Sequence, residues 1–152
     1  MAAITVGSTA PGFTLNDQKS RKVSLEKLRG KRVILSFRPL AWTPVCHDQM
    51  LALEEHFDRL AELNTVPLGM GVDSSASNKA WAGAMDIERL RLLADFWPHG
   101  EVTRSYGLLR EEDGFPERAN VIIDENGTVV FVKVYPINEL PDIDEIIVFL
   151  EK

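Results

Sequence analysis

The chain has 152 residues, of which 45% are hydrophobic and 26% charged, and this composition is typical of one ordinary globular domain. Its net charge of −6, without any basic cluster, makes nucleic acids and anionic membranes poor partners. No apolar run is long enough to cross a membrane, and the first residues lack a signal-peptide pattern. The single cysteine cannot form an internal disulfide, which fits a reducing compartment. We therefore expect a cytoplasmic protein.

Short extended segments are predicted in the first part of the chain. Residues 10–15 form an extended segment, the polar residues 16–19 a turn, and residues 23–25 a return strand or a loop. Residues 33–37 are a short, mostly apolar run that stops before Pro39, and such a run is typical of a buried strand.

A helix is predicted directly after this strand, with Thr43 as its N-cap and Pro44 as its first residue. Its inner face is marked by apolar residues at three- and four-residue steps: Val45, Met50, Leu53, Phe57, Leu60 and Ala61. The pattern predicts a helix that continues to about Asn64.

A second core strand and two helices are predicted in the middle of the chain. The elements are a strand over 66–72, a helix through 81–85, an apolar segment over 90–96 and a short helix over 102–108. The polar loop 73–77 supplies caps for the first of these helices.

A hairpin and a closing helix are predicted in the last third. Residues 121–123 and 129–134 flank Asp-Glu-Asn-Gly at 124–127, which is a strong hairpin signal. Pro141 and the acidic residues after it begin the last helix. Together the elements predict an α/β fold with a mixed central sheet flanked by helices, in a single domain over residues 1–152.

Cys46 lies in the first turn of the helix that follows the 33–37 strand. Free backbone N–H groups and the positive end of the helix dipole at this position stabilise a thiolate, so a nucleophilic sulfur is well placed here. On composition alone, however, a lone cysteine is more often a small buried hydrophobe than a nucleophile.

Pro39, Thr43 and Cys46 form a Pro-x-x-x-Thr-x-x-Cys pattern that resembles the active-site signature of the peroxiredoxins. The resemblance extends over nearly the whole chain. Residues 69–73 are similar to the second core strand of that family and the loop after it, and residues 118–127 are similar to the segment that supplies its catalytic arginine. The resemblance therefore implies a thioredoxin-like fold.

By this resemblance Cys46 is the peroxidatic cysteine, whose thiolate attacks a hydroperoxide and becomes a sulfenic acid. Without the Cys46 motif, Arg118 would be interpreted as a solvated charge at a strand end. The resemblance implies instead that it faces the sulfur and stabilises charge on the peroxide oxygens. The Thr43 hydroxyl is expected to donate to the sulfur or the peroxide while capping the helix, and Pro39 to shield the pocket from water. Backbone N–H groups near Val45 are expected to bind the second peroxide oxygen.

Position 49 departs from the pattern of the family, which commonly has glutamate there. The neutral amide of Gln49 can hydrogen-bond Arg118 but cannot pair its charge, which leads to the hypothesis that the arginine is freer to act on the thiolate. Arg38 stands where an aromatic residue is common, and Trp42 directly precedes the threonine of the pattern. Both are candidates for shaping substrate access, with a packing or surface role as the alternative.

The lack of a second cysteine decides the expected subclass. Two-cysteine peroxiredoxins carry a resolving thiol near the C-terminus or five residues after the first cysteine, where this chain has Leu51. The Cys46 sulfenic acid is therefore expected to be resolved by an external thiol or thiol-redox protein, as in the one-cysteine AhpE-like (alkyl hydroperoxide reductase E-like) group. The resemblance implies a homodimer and no metal, haem or flavin cofactor.

The expected activity is thiol-dependent reduction of hydrogen peroxide and organic hydroperoxides. His47, His56 and His99 have no metal-ligand spacing with the cysteine. A thioredoxin-type disulfide oxidoreductase is nearly excluded, because it needs Cys-x-x-Cys and position 43 is threonine. The competing hypothesis is a peroxide-sensing switch or binding module, in which oxidation of Cys46 changes a partner interface.

Overall fold

The computed structural model of the protein describes residues 2–152. The strands are β1 (Thr14–Asn16), β2 (Lys22–Ser24), β3 (Arg32–Phe37), β4 (Thr65–Gly71), β5 (Arg91–Ala94), β6 (Leu109–Arg110), β7 (Phe115–Pro116), β8 (Arg118–Ile123) and β9 (Val129–Tyr135). The helices are α1 (Pro44–Glu55), α2 (Phe57–Glu62), α3 (Ser75–Ala84), α4 (Glu101–Ser105) and α5 (Ile143–Glu151), with a 3-10 helix at Leu25–Leu28. None of the helices in this part of the chain is both long and apolar enough to cross a membrane.

A mixed sheet connects most of the strands in the order β2-β1-β5-β4-β3-β8-β9. Strands β3, β4 and β5 run parallel, so their carboxyl ends lie at the same edge of the sheet. Strand β8 runs antiparallel to β3 and pairs Ala119 with Phe37. As a result, the residues that follow β3 meet the residues that begin β8 at one edge, as the predicted mixed sheet requires.

Strand β3 separates two hydrophobic cores, because its successive side chains point to opposite faces of the sheet. Phe37 packs on one face against Tyr106, at 5.8 Å between the ring centroids. Ile34 lies on the other face, in the cluster that also contains Met50 of α1 and Trp81 of α3. Both faces of β3 are thus covered, which accounts for its continuous apolar run.

The helix predicted from Pro44 to about Asn64 is wrong in its length, because the chain forms α1 and α2 with a break at His56. The backbone of His56 leaves the helical region, with φ −99° and ψ 13°. Its ring Nδ1 donates to the carbonyl of Ala52 at 2.9 Å, the same oxygen that accepts the backbone N–H of His56 at 3.1 Å.

The helix predicted over 102–108 is also too long, since α4 ends at Ser105. The backbone turns at Gly107 with φ 68°, and a Cβ there would clash with the carbonyl oxygen of Ala2. The turn carries Leu108 into the core instead of along a helix. The hairpin around 124–127 is confirmed by the pairing of β8 with β9.

Candidate active site

Cys46 is placed by the tight connection between β3 and α1. Thr43 has an extended backbone at the N-cap, with φ −107° and ψ 149°, and Pro44 occupies the first turn. The first bond of the helix runs from the N–H of His47 to the carbonyl of Thr43 at 2.9 Å, so the N–H groups of Val45 and Cys46 precede the helical ladder. The sulfur is fully buried, at 0% exposure.

Arg118 brings a positive charge to this buried sulfur from the first residue of β8. Its Nη1 donates to Cys46 Sγ at 3.4 Å and to Gln49 Oε1 at 2.8 Å, and its Nε donates to the carbonyl of Ile137 at 2.8 Å. The side chain is only 4% exposed. Three acceptors therefore fix the guanidinium against the sulfur, and a charge so shielded from water acts strongly on its neighbours.

Gln49 lies one turn after Cys46 in α1 and is almost fully buried. Its Nε2 donates to Ser36 Oγ at 2.7 Å and to the carbonyl of Phe37 at 3.0 Å. These two acceptors orient the amide so that its oxygen receives Arg118. The amide thus positions the arginine without neutralising its charge.

The expected role of the Thr43 hydroxyl requires a correction. It does not cap α1, and its Oγ1 donates instead to the carbonyl of Leu40 at 2.8 Å. A hydroxyl has one proton to donate, and in this structure that proton closes the turn over residues 40–43. The threonine therefore shapes the loop before Cys46, and donation to a sulfur or substrate would require the hydroxyl to rotate.

The loop over residues 39–43 leads into α1 and borders an apolar cavity. Pro39 is buried, whereas Trp42 is 57% exposed. Trp42 lines a cavity of about 230 Å³ together with Pro44, His47 and Trp81. The cavity adjoins the first turn of α1, and Cys46 itself does not line it.

Arg38 is fully buried, which excludes the surface role considered for it. Its Nη1 donates to Asp73 Oδ2 at 2.8 Å and its Nη2 to Asn78 Oδ1 at 2.9 Å. Neither partner was predicted at the site. One sequence feature indicates this pair, because a cation directly after a buried strand needs a partner when it is buried. Asp73 follows β4, the parallel neighbour of β3, and therefore lies at the same edge of the sheet as Arg38.

No group of three or more His, Cys, Asp and Glu side chains within residues 2–152 forms a metal-ligand cluster. The predicted site residues that do meet are Cys46, Gln49 and Arg118, with Pro39 and Thr43 in the loop beside them. A buried sulfur with a fixed cation and free N–H groups is suited to nucleophilic attack on a small electrophile whose leaving group gains negative charge.

Comparison with known proteins gives consistent matches. The AhpC/TSA family matches residues 6–132. Alkyl hydroperoxide reductase E of Mycobacterium tuberculosis is 35% identical over 140 residues, which cover 91% of this chain and 91% of that protein. The chloroplastic peroxiredoxin Q of Sedum lineare is 34% identical over 151 residues, covering 99% of this chain and 80% of that protein.

The fold gives the same result as the sequence comparison. The crystal structure of AhpC from Enterococcus faecalis superposes with a TM-score of 0.89 and 27% sequence identity, covering 96% of this chain and 90% of that one. The predicted mixed sheet flanked by helices, with a thioredoxin-like arrangement, is therefore confirmed.

Proposed function

The chain belongs to the AhpC/TSA family and is a thiol-dependent peroxidase, a peroxiredoxin, and we propose that Cys46 is its peroxidatic residue in a one-cysteine mechanism. The observation that carries the proposal is the contact between Arg118 Nη1 and Cys46 Sγ at 3.4 Å in a fully buried site. A cation and free helix N–H groups at one sulfur favour its charged, nucleophilic form.

In the first half-reaction, the Cys46 thiolate attacks the terminal oxygen of a hydroperoxide. An S–O bond forms, the O–O bond breaks, and the leaving alkoxide or hydroxide takes up a proton to become an alcohol or water. The sulfur loses two electrons to the peroxide and is left as a sulfenic acid. This step uses no group other than the sulfur, the peroxide and the surrounding donors.

Arg118 stabilises the thiolate before attack and the charge that develops on the leaving oxygen during it. The N–H groups of Val45 and Cys46 bind the same oxygen from the helix end. Pro39 has no N–H and excludes water from the sulfur. Trp42 faces the apolar cavity, and we place the organic part of an alkyl hydroperoxide there.

The second half-reaction needs an external thiol, because Cys46 is the only cysteine in the sequence. That thiol attacks the sulfenic sulfur, expels water and forms a mixed disulfide, which a further thiol reduces to regenerate Cys46. We propose a small thiol or a thiol-redox protein as the reductant and no metal, haem or flavin cofactor. A lone thiol suits a reducing compartment, which supports a cytoplasmic location.

We also propose that the protein is a homodimer. Among the large hydrophobic side chains, Trp97 is 82% exposed and Trp42 is 57% exposed. Exposed aromatic residues of this size are enriched at interfaces between proteins, so these two residues mark candidate contacts.

With dithiothreitol present, we expect the purified protein to consume both hydrogen peroxide and an alkyl hydroperoxide through many turnovers, measured as loss of peroxide. The reason is that an external thiol completes the cycle that Cys46 begins. A protein that is oxidised at Cys46 and then stays oxidised in excess thiol would contradict the enzyme and favour the sensor hypothesis.

Replacing Gln49 with glutamate is expected to slow oxidation of Cys46 by peroxide about tenfold, because a carboxylate 2.8 Å from Arg118 would share its charge with the sulfur. Glutamate also loses the amide donors to Ser36 and Phe37. The measurement is the second-order rate of single-turnover oxidation.

Gln18→Glu is the matched control for this change. Gln18 is also a buried amide, donating to the carbonyl of Leu90 and accepting from the N–H of Leu92, both at 2.8 Å. The control is expected to lose stability and to keep the wild-type oxidation rate. Unchanged or faster oxidation in Gln49→Glu would show that the neutral amide does not leave the arginine freer.

A further inference from the structure

An ion pair between a fully buried arginine and a half-buried aspartate lies next to the loop that precedes Cys46. Arg38 is fully buried and binds Asp73 and Asn78, and its guanidinium carbon lies 4.6 Å from the centroid of the Trp81 ring. Burial lowers the pKa of Arg38, and the charge and hydrogen bond of the Asp73 carboxylate oppose that shift. The peroxide chemistry described above uses none of these partners, yet burying a charged pair has a free-energy cost.

The neighbouring strand provides space for this pair. A Cβ on Gly71, the last residue of β4, would lie 2.5 Å from Arg38 Nη1. The backbone N–H of Arg38 also donates to the carbonyl of Met70 at 3.0 Å. The guanidinium therefore lies close against the end of β4, and the backbone bond to Met70 fixes the main chain of Arg38 to the same strand.

The same carboxylate oxygen that receives Arg38 also holds the loop. Asp73 Oδ2 accepts the N–H of Ala41 at 2.9 Å, and Ala41 packs in the same core cluster as Cys46. The next residue, Trp42, has φ 69°, a left-handed conformation that a residue with a large side chain adopts only under constraint. The bond from Asp73 ties this strained loop to the sheet.

We propose that Asp73 is a positioning residue for peroxide reduction: held by Arg38, its carboxylate keeps residues 39–43 closed over Cys46. The proposal rests on the proposed function of Cys46 and adds to it how the covering loop is fixed. Loss of the bond to Ala41 would let the loop relax, which would expose the sulfur and displace Pro39 and the helix N–H groups from the peroxide.

The test compares Asp73→Ala with Asp73→Asn. The alanine variant removes the acceptor for Ala41, whereas the asparagine variant keeps one oxygen that can accept the same two bonds. Two rates are measured on reduced protein: oxidation of Cys46 by one equivalent of hydrogen peroxide, and alkylation of Cys46 by iodoacetamide, which needs access to the sulfur but no peroxide site.

In Asp73→Ala we expect oxidation to fall about 10- to 100-fold, the effect of a misplaced catalytic group, while alkylation rises above the wild-type rate. In Asp73→Asn we expect both rates to stay near wild type. General unfolding would also expose the buried sulfur and slow its oxidation, so the result counts as loop opening only if circular dichroism shows that Asp73→Ala is folded and a comparably destabilised control keeps both rates.

Asp17→Ala is the matched control. Asp17 is a fully buried carboxylate that accepts the N–H groups of Lys19 and Arg21 and pairs with Arg91 at 3.1 Å, in the turn after β1. It should lose stability with neither rate changed.

The proposal is overturned if folded Asp73→Ala oxidises at the wild-type rate, if its alkylation rate does not rise, if Asp17→Ala shows the same two changes, or if Asp73→Asn behaves like Asp73→Ala. A wild-type protein that reacts no faster than a free thiol would instead refute the proposed function of Cys46 itself.

Discussion

Replacing Arg118 with methionine is expected to slow oxidation of Cys46 by hydrogen peroxide about 10²- to 10³-fold, the cost of losing one preorganised donor at a developing negative charge. Methionine keeps the apolar length of the side chain but supplies neither the charge nor the donors to Cys46 and Gln49. The measurement is the second-order rate of single-turnover oxidation. Arg118→Lys should be intermediate, because a lysine keeps the charge but cannot bind several acceptors in one plane.

Arg32→Met separates the catalytic effect from a loss of stability. Arg32 also begins a central strand and also donates to a backbone carbonyl, that of Leu63, but at the opposite end of β3 from Cys46. We expect this variant to oxidise at the wild-type rate. Equal slowing in both variants would mean that Arg118 acts only through the stability of the sheet.

Without any thiol reductant and with a few equivalents of peroxide, the reduced protein is expected to consume one mole of peroxide per mole of chain in a fast phase and then stop or slow sharply, and Cys46→Ser to show no fast phase. The reason is that the sequence contains no second cysteine to complete a cycle. Loss of peroxide, the mass gained as one oxygen atom and trapping of the sulfenic acid by dimedone are measured together.

Adding dithiothreitol to the wild type should restore continuous consumption, while Cys46→Ser should stay inactive. Peroxide loss in the serine variant would contradict the assignment of Cys46. Several turnovers of the wild type without added thiol would contradict the one-cysteine mechanism.

The features predicted most fully from sequence depend on neighbours along the chain. The buried strand, Pro44 in the first turn and Cys46 just inside the helix follow from a short stretch of residues, and the structure has them as predicted. The hairpin over 124–127 follows in the same way, because Asp124 Oδ1 accepts the N–H groups of Asn126 and Thr128 within the turn.

The features that sequence did not supply depend on contacts between distant segments. Arg118 and Cys46 are 72 residues apart, so no local pattern places them together, and only the family resemblance pointed to their contact. Arg38 and Asp73 meet because β3 and β4 are parallel neighbours. The direction of the Thr43 hydroxyl depends on the turn of the loop, where the carbonyl of Leu40 accepts its proton.

The central claim is that the buried site activates Cys46 as a nucleophile toward peroxide. The most direct test mixes reduced protein with one equivalent of hydrogen peroxide and compares the rate of Cys46 oxidation with that of a small free thiol at the same pH. We expect the protein to react faster by orders of magnitude and to form a sulfenic acid. A rate no greater than that of the free thiol would contradict the claim and leave Cys46 as a buried core residue.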